Sequence, residues 1–136
     1  MFDFTGENIG IGVDIENISR FQEFDFEKDS SFLNKTFTRK ELDYCFSSRI
    51  PAQHLAARFA GKEAILKALS SLGRASLGYN DIEIENDDTG VPCVAVKKGG
   101  FGDLHIRLSL SHARDVAVAF AAVMPQGKAH CRQGDE

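Results

Sequence analysis

Asp14, Glu63 and the cations near them in the chain are the residues whose types suit chemistry on a phosphate. Two carboxylates can hold Mg²⁺, a hard cation that takes oxygen ligands and keeps sites for water and substrate phosphates. Nearby Lys and Arg would neutralise phosphate oxygens. Asp14 follows Gly10 and Gly12, which remove side chains beside the carboxylate and leave room for a ligand; a helix N-cap is the structural alternative for it. Glu63 and Lys67 stand four apart in the order that favours a surface ion pair. Two details speak against a bland face there. Lys62 interrupts an apolar stripe, where a charge is costly without a partner. Gly61 sits mid-helix at a cost of about 1 kcal/mol relative to Ala. Together they point to a helix face that meets a polar ligand.

Other patterns carry less. Ser109-Leu110-Ser111-His112 ends an alternating strand, but with no GxSxG there is no hydrolase elbow. Asp88-Thr89-Gly90-Val91-Pro92 alone reads as a hairpin turn. The chain has neither a Walker A motif nor GxGxxG, which argues against an ATPase and a dinucleotide enzyme.

The elements that must position these residues read as follows. Ile9 to Val13 is a short strand ending at Asp14, and Ile15, Ile18 and Phe21 then follow at helical spacing, so the spacing predicts a helix from about Asp14. Thr38-Arg39-Lys40-Glu41 fits a capping box, with Phe37 and Leu42 as its hydrophobic staple, opening a helix that runs to about Ser47. The longest helix starts at Pro51 and stops at Gly73. Leu55, Phe59, Leu66 and Leu69 share its apolar stripe, with Ala56, Ala60, Glu63 and Lys67 along one flank. The period then changes to 2. Residues 81–85 and 92–97 form a hairpin, 104–111 alternate, and 116–124 make a last strand. Helices first and hairpins second predict an α+β fold with an antiparallel sheet packed against a long helix.

The 136 residues suit one domain, here 1–124, followed by a polar tail, 125–136, expected to be mobile. A chain of this size buries roughly two thirds of its unfolded surface and needs no staples. No apolar run is long enough to span a membrane, and Met1 to Asp14 lacks a signal-peptide pattern. Three distant cysteines, Cys45, Cys93 and Cys131, argue against a disulfide scaffold and a CxxC zinc site, with a reducing cytoplasm as the default. A net charge of −4 without a basic stripe argues against nucleic acid as partner.

The segments IGVDIENISRF (11–21), FTRKEL (37–42), ARFAGKEAILKAL (57–69), DIEIENDDTGVP (81–92) and LSLSHARDVAVAFAAV (108–123) occur in this order. By them the chain resembles the holo-acyl-carrier-protein synthases, small members of the phosphopantetheinyl transferase superfamily, over roughly residues 9–124. The resemblance implies that family's fold and a Mg²⁺-dependent transfer of 4′-phosphopantetheine from coenzyme A to a serine of an apo acyl carrier protein, releasing 3′,5′-ADP. It implies Asp14 and Glu63 as metal ligands, Glu63 as the group receiving the serine proton, directly or through a metal-bound water, and Lys67 on the coenzyme A phosphates. It further implies Lys62 near those phosphates, Arg58 and His112 around the nucleotide's 3′-phosphate, Ser111 as a hydroxyl contact, and the Gly90 to Pro92 turn against the adenine. It implies a homotrimer with sites between subunits.

One departure stands out. Arg20 matches a carrier-docking position, but FQEFDFEKD after it carries Glu23, Asp25, Glu27 and Asp29 against Lys28 alone. Carrier proteins are acidic, and like charges slow association. Docking shifted toward Arg39, Lys40 and Arg49, or an unusual carrier, is the expectation. The other readings are a nucleotide pyrophosphatase using water at the same metal site, and a carrier-binding protein without turnover. A transferase domain cut from a large fatty-acid synthase would look the same, although the short length and Met1 favour a free-standing enzyme.

Overall fold

From Ile9 to Glu16, apolar side chains alternate with glycine and carboxylate, a period of 2 that holds the chain extended beyond Asp14. The computed structural model, which describes residues 8–126, places strand β1 at Gly10–Asn17. A single 3-10 turn, Ile18–Phe21, follows it. The helix expected from Asp14 is therefore not formed, and Asp14 caps nothing. Pairing to the last strand carries the extended conformation through Asn17, opposite Val116.

Three helices come next: α1 (Ser30–Thr36), α2 (Arg39–Phe46) and α3 (Pro51–Ser71). The box at the start of α2 forms, with Thr38 and Glu41 each bonding the other's backbone N–H. Gly73, just past α3, takes φ +70°, the left-handed conformation that a helix-ending glycine supplies cheaply. Strands β2 (Ile82–Asn86) and β3 (Pro92–Val96) form a two-stranded antiparallel sheet, its turn closed by Gly90 at φ +87°. Strands β4 (Leu104–His112) and β5 (Val116–Pro125) complete a second sheet in the order β1-β5-β4, also antiparallel. The expected α+β architecture, antiparallel sheets against a long helix, is what the chain adopts.

Helix α3 lies on the three-stranded sheet. Ala56, Ala60, Ala64 and Ala68 recur every four residues and are fully buried. Opposite them, β5 presents Ala117, Ala119 and Ala121, and β1 presents Gly10 and Gly12. The fit is close. A Cβ at Gly12 would collide with the Ala64 carbonyl oxygen, and one at Gly10 with that of Ala68. These glycines thus make room for α3, not for a ligand. Gly61 has the same use: a Cβ there would press on Ile84 at 2.9 Å and Leu108 at 3.2 Å.

The last strand runs one residue past the expected boundary at 124, and the Gln126 N–H donates to the Asp103 carbonyl. The rest of the expected tail, 127–136, lies outside the described residues. Cys45 is buried and free, whereas Cys93 is disulfide-bonded, so the cysteines give no argument for a reducing compartment. No described helix is long and apolar enough to cross a membrane.

Candidate active site

Because β1 stays extended, Gly10, Gly12, Asp14 and Glu16 share the face toward α3. The close glycine packing brings that face against the helix at Glu63. Asp14, Glu16 and Glu63 each offer a carboxylate oxygen, all within 4.8 Å of one another. Asp14 Oδ2 is buried with no hydrogen-bond partner among the described residues. Glu16 is pushed up to about 7, first by burial and then by the adjacent Asp14 carboxylate, while Arg20 pulls the other way. Three acids converging on an unsatisfied buried oxygen are a donor set suited to a hard divalent cation, which would relieve their mutual repulsion.

Lys67 turns to Asp14 rather than to Glu63. Its Nζ lies 3.2 Å from Asp14 Oδ1 and donates to the Val13 carbonyl at 3.0 Å, while the side chain stays more than half exposed. Glu63 accepts a hydrogen bond from the Tyr79 hydroxyl at 3.0 Å. Burial, followed by that bond to Glu63, raises the Tyr79 phenol above its usual value. Arg20 donates to Glu16 Oε1 at 2.9 Å, and its guanidinium lies 4.9 Å from the Phe59 ring centre.

Lys62 is not at this site. It is fully buried, and its Nζ donates to Glu41 Oε1 and the Ile82 carbonyl at 2.6 Å, to the Tyr79 carbonyl at 2.8 Å and to the Thr36 carbonyl at 2.9 Å. Burial pushes its ammonium down, with Glu41 opposing. The phosphate contact expected of Lys62 is therefore corrected. Its charge was legible as an anomaly in the stripe, but the partner is an internal carboxylate rather than a ligand.

A second group gathers cations elsewhere. Arg58 is buried, with its guanidinium 4.4 Å from the Tyr44 ring centre and its Nε without a hydrogen-bond partner among the described residues. It lines a cavity of about 210 Å³ with Lys40, Tyr44, Ile84, Glu85 and Asn86. Pro92 is paired with Asn86 in the hairpin. His54 packs edge-on to Tyr44, and its pKa is lowered by burial and by the charges of Arg58 and His112. Of the residues expected around the nucleotide, Arg58 lines this cavity, Pro92 pairs with the cavity-lining Asn86, and the charge of His112 reaches His54. Ser111 differs. Its register row is Ile15–Val118–Ser111, on the sheet face turned away from α3, whereas His112 shares the row of Ala117 and Glu16.

Sequence reasoning missed Glu16 and Tyr79. The signal for Glu16 was present: Ile9, Ile11, Val13 and Ile15 alternate with the residues of the opposite face, which marks a strand through Glu16. No pattern singles out Tyr79. The acidic stretch after Arg20 also finds its use. Asp25 Oδ1 accepts from the Glu27 and Lys28 N–H groups, and Asp29 Oδ2 from that of Asp25, so both carboxylates build the turn before α1.

The chain is similar to known proteins of one family. A curated holo-[acyl-carrier-protein] synthase of Clostridium novyi is 37% identical over 134 residues, covering 94% of this chain and 96% of its own. One of Geotalea daltonii is 45% identical over 117 residues, covering 81% and 93%. Among solved structures, a Chronobacterium ammoniagenes ACPS–CoA complex superposes with a TM-score of 0.74 at 28% identity, covering 89% of this chain and all of that one. A Bacillus anthracis holo-(acyl-carrier-protein) synthase with CoA (3′,5′-ADP) gives 0.71 at 27% identity, covering 88% and 99%. The family model of the 4′-phosphopantetheinyl transferase superfamily matches residues 10–121, and the chain belongs to that superfamily.

Proposed function

We propose that this protein transfers 4′-phosphopantetheine from coenzyme A to a serine hydroxyl of an apo acyl carrier protein. The observation that carries the reading is the convergence of Asp14, Glu16 and Glu63 around a buried, unsatisfied carboxylate oxygen, with Lys67 beside it, in a chain of this superfamily. Asp14, Glu16 and Glu63 would hold Mg²⁺, which supplies positive charge to the pyrophosphate oxygens of coenzyme A and to the departing phosphate.

The chain's own residues do the rest. The serine oxygen attacks the β-phosphorus; the new O–P bond forms as the bond to 3′,5′-ADP breaks. Glu63 receives the serine proton. Lys67, half exposed and anchored at Asp14, neutralises phosphate oxygens as charge shifts to the leaving group. Arg58 and His112 take the nucleotide's 3′-phosphate, and the turn at Pro92 lies against its base. Buried Arg58 Nε is a donor awaiting an acceptor, which a phosphate would supply.

A homotrimer fits the outward face of the sheet. Ile9, Ile11, Val13, Ile15 and Phe120 are exposed there, with Ile15 at 62%. Such an apolar row on a soluble domain calls for a covering partner, and a second copy meets the need. Ser111 shares a row with Val118 and Ile15 on this face, which supports a contact with substrate bound by a neighbouring copy. Light scattering tests this: a trimer is expected, and Val13→Lys should yield monomers without activity.

The reaction is tested by intact mass. Protein, coenzyme A and Mg²⁺ are mixed with a panel of apo carriers, with an EDTA control. A metal-dependent gain of one phosphopantetheine supports transfer. Coenzyme A hydrolysis without any gain would indicate a pyrophosphatase instead.

A further inference from the structure

Tyr79 stands in the 3-10 turn Tyr79–Asp81, just before β2, and is held at three points. Its carbonyl accepts from the buried Lys62 ammonium at 2.8 Å. Its ring packs on Phe59, with centroids 5.3 Å apart. Its hydroxyl donates to Glu63 Oε1 at 3.0 Å. Lys62 and Glu63 are consecutive on α3, so the Lys62 ammonium fixes the backbone of the residue whose side chain reaches back to the neighbouring carboxylate.

We propose that Tyr79 is a positioning residue for Glu63, holding one carboxylate oxygen so that the other is directed at the metal and the serine proton. The inference rests on the proposed transfer reaction. A carboxylate that meets a metal needs its remaining lone pairs fixed, and outer partners of this kind typically matter about 10- to 100-fold in metal affinity or activity. Here the partner is preorganised: ring and backbone are locked without the hydroxyl, so the hydroxyl spends no motion to reach Glu63. Glu63 itself lies on a long, well-packed helix, and rotation of its side chain is the freedom that remains for Tyr79 to remove.

Tyr79→Phe removes the hydroxyl alone and keeps the Phe59 packing and the Lys62 bond. The expected result is an unchanged melting temperature, kcat lowered about tenfold, and KM for coenzyme A within about twofold of the parent. Mn²⁺ serves as the probe of the site without turnover: its dissociation constant, read from the electron spin resonance of free Mn²⁺, should rise about tenfold. Unchanged Mn²⁺ affinity together with unchanged kcat would overturn the inference. Glu63→Gln is measured alongside. If that variant transfers normally, the reading of the whole site fails; if it is inactive while Tyr79→Phe is normal, only the role of Tyr79 fails.

Discussion

Lys62 and Glu41 form a fully buried ion pair at 2.6 Å, and Glu41 closes the capping box of α2 with the same carboxylate. Its other oxygen accepts from the Ile84 N–H at 2.7 Å. One pair therefore ties together the end of α1, the start of α2, the middle of α3 and the first strand of the hairpin. Glu63 is the next residue along α3, so the site inherits its placement from this knot.

Removing one partner leaves the other charge buried and unpaired. Lys62→Ala should destabilise the fold by about 3–5 kcal/mol. Urea unfolding measures this. A variant of normal stability whose only defect is coenzyme A affinity would restore Lys62 to the phosphate site.

The glycine seam makes a second expectation. Gly12→Ala sets a methyl against the Ala64 carbonyl, where backbone must move on both sides. Overpacking of that kind costs about 3 kcal/mol, and it should separate Asp14 from Glu63, lowering metal affinity as well. A stable Gly12→Ala protein with normal Mg²⁺ dependence would contradict the role given to the seam.

Acid should loosen the hairpin. Glu83 is buried, which alone would raise its pKa. The Thr38 hydroxyl at 2.6 Å and Lys97 at 3.0 Å outweigh burial and hold it below its usual 4.5. A lowered carboxylate pKa stabilises the fold above the unfolded value and loses that contribution as pH falls through the folded one. Wild-type urea midpoints should therefore drop below pH 4.5, and Glu83→Gln should show a shallower acid dependence. Identical slopes for the two proteins would count against it.

Glu16 is expected to act as a third ligand. Glu16→Gln should weaken Mg²⁺ binding about tenfold while leaving the strand paired. Titration calorimetry of Mg²⁺ with coenzyme A present reads this directly. An unchanged dissociation constant would leave Asp14 and Glu63 as the only acids engaged.

Much of this architecture was legible in local pattern. The capping box at Thr38, the Pro51 start and Gly73 stop of α3, and the alternation of β2 to β5 are short-range signals, and each element formed where it pointed. The error at Asp14 came from two periods competing over few residues. Ile15, Ile18 and Phe21 fit a helix, but pairing with β5, which lies about a hundred residues away, decided for a strand. The same long-range contact explains Gly10 and Gly12: a glycine that yields space reads alike whether a ligand or a helix takes it. Lys62 shows the limit from the other side. Its conflict with the apolar stripe was visible, but the four oxygens that resolve it come from two distant stretches of the chain, 36–41 and 79–82.

The central claim is that the Asp14, Glu16 and Glu63 cluster makes this chain a metal-dependent transferase. Intact-mass analysis of an apo carrier, with coenzyme A and Mg²⁺, tests it most directly when Glu63→Gln is run beside the parent. The account predicts a gain of one phosphopantetheine for the parent, none with EDTA, and almost none for the folded variant. Transfer by Glu63→Gln at the parent's rate would contradict it.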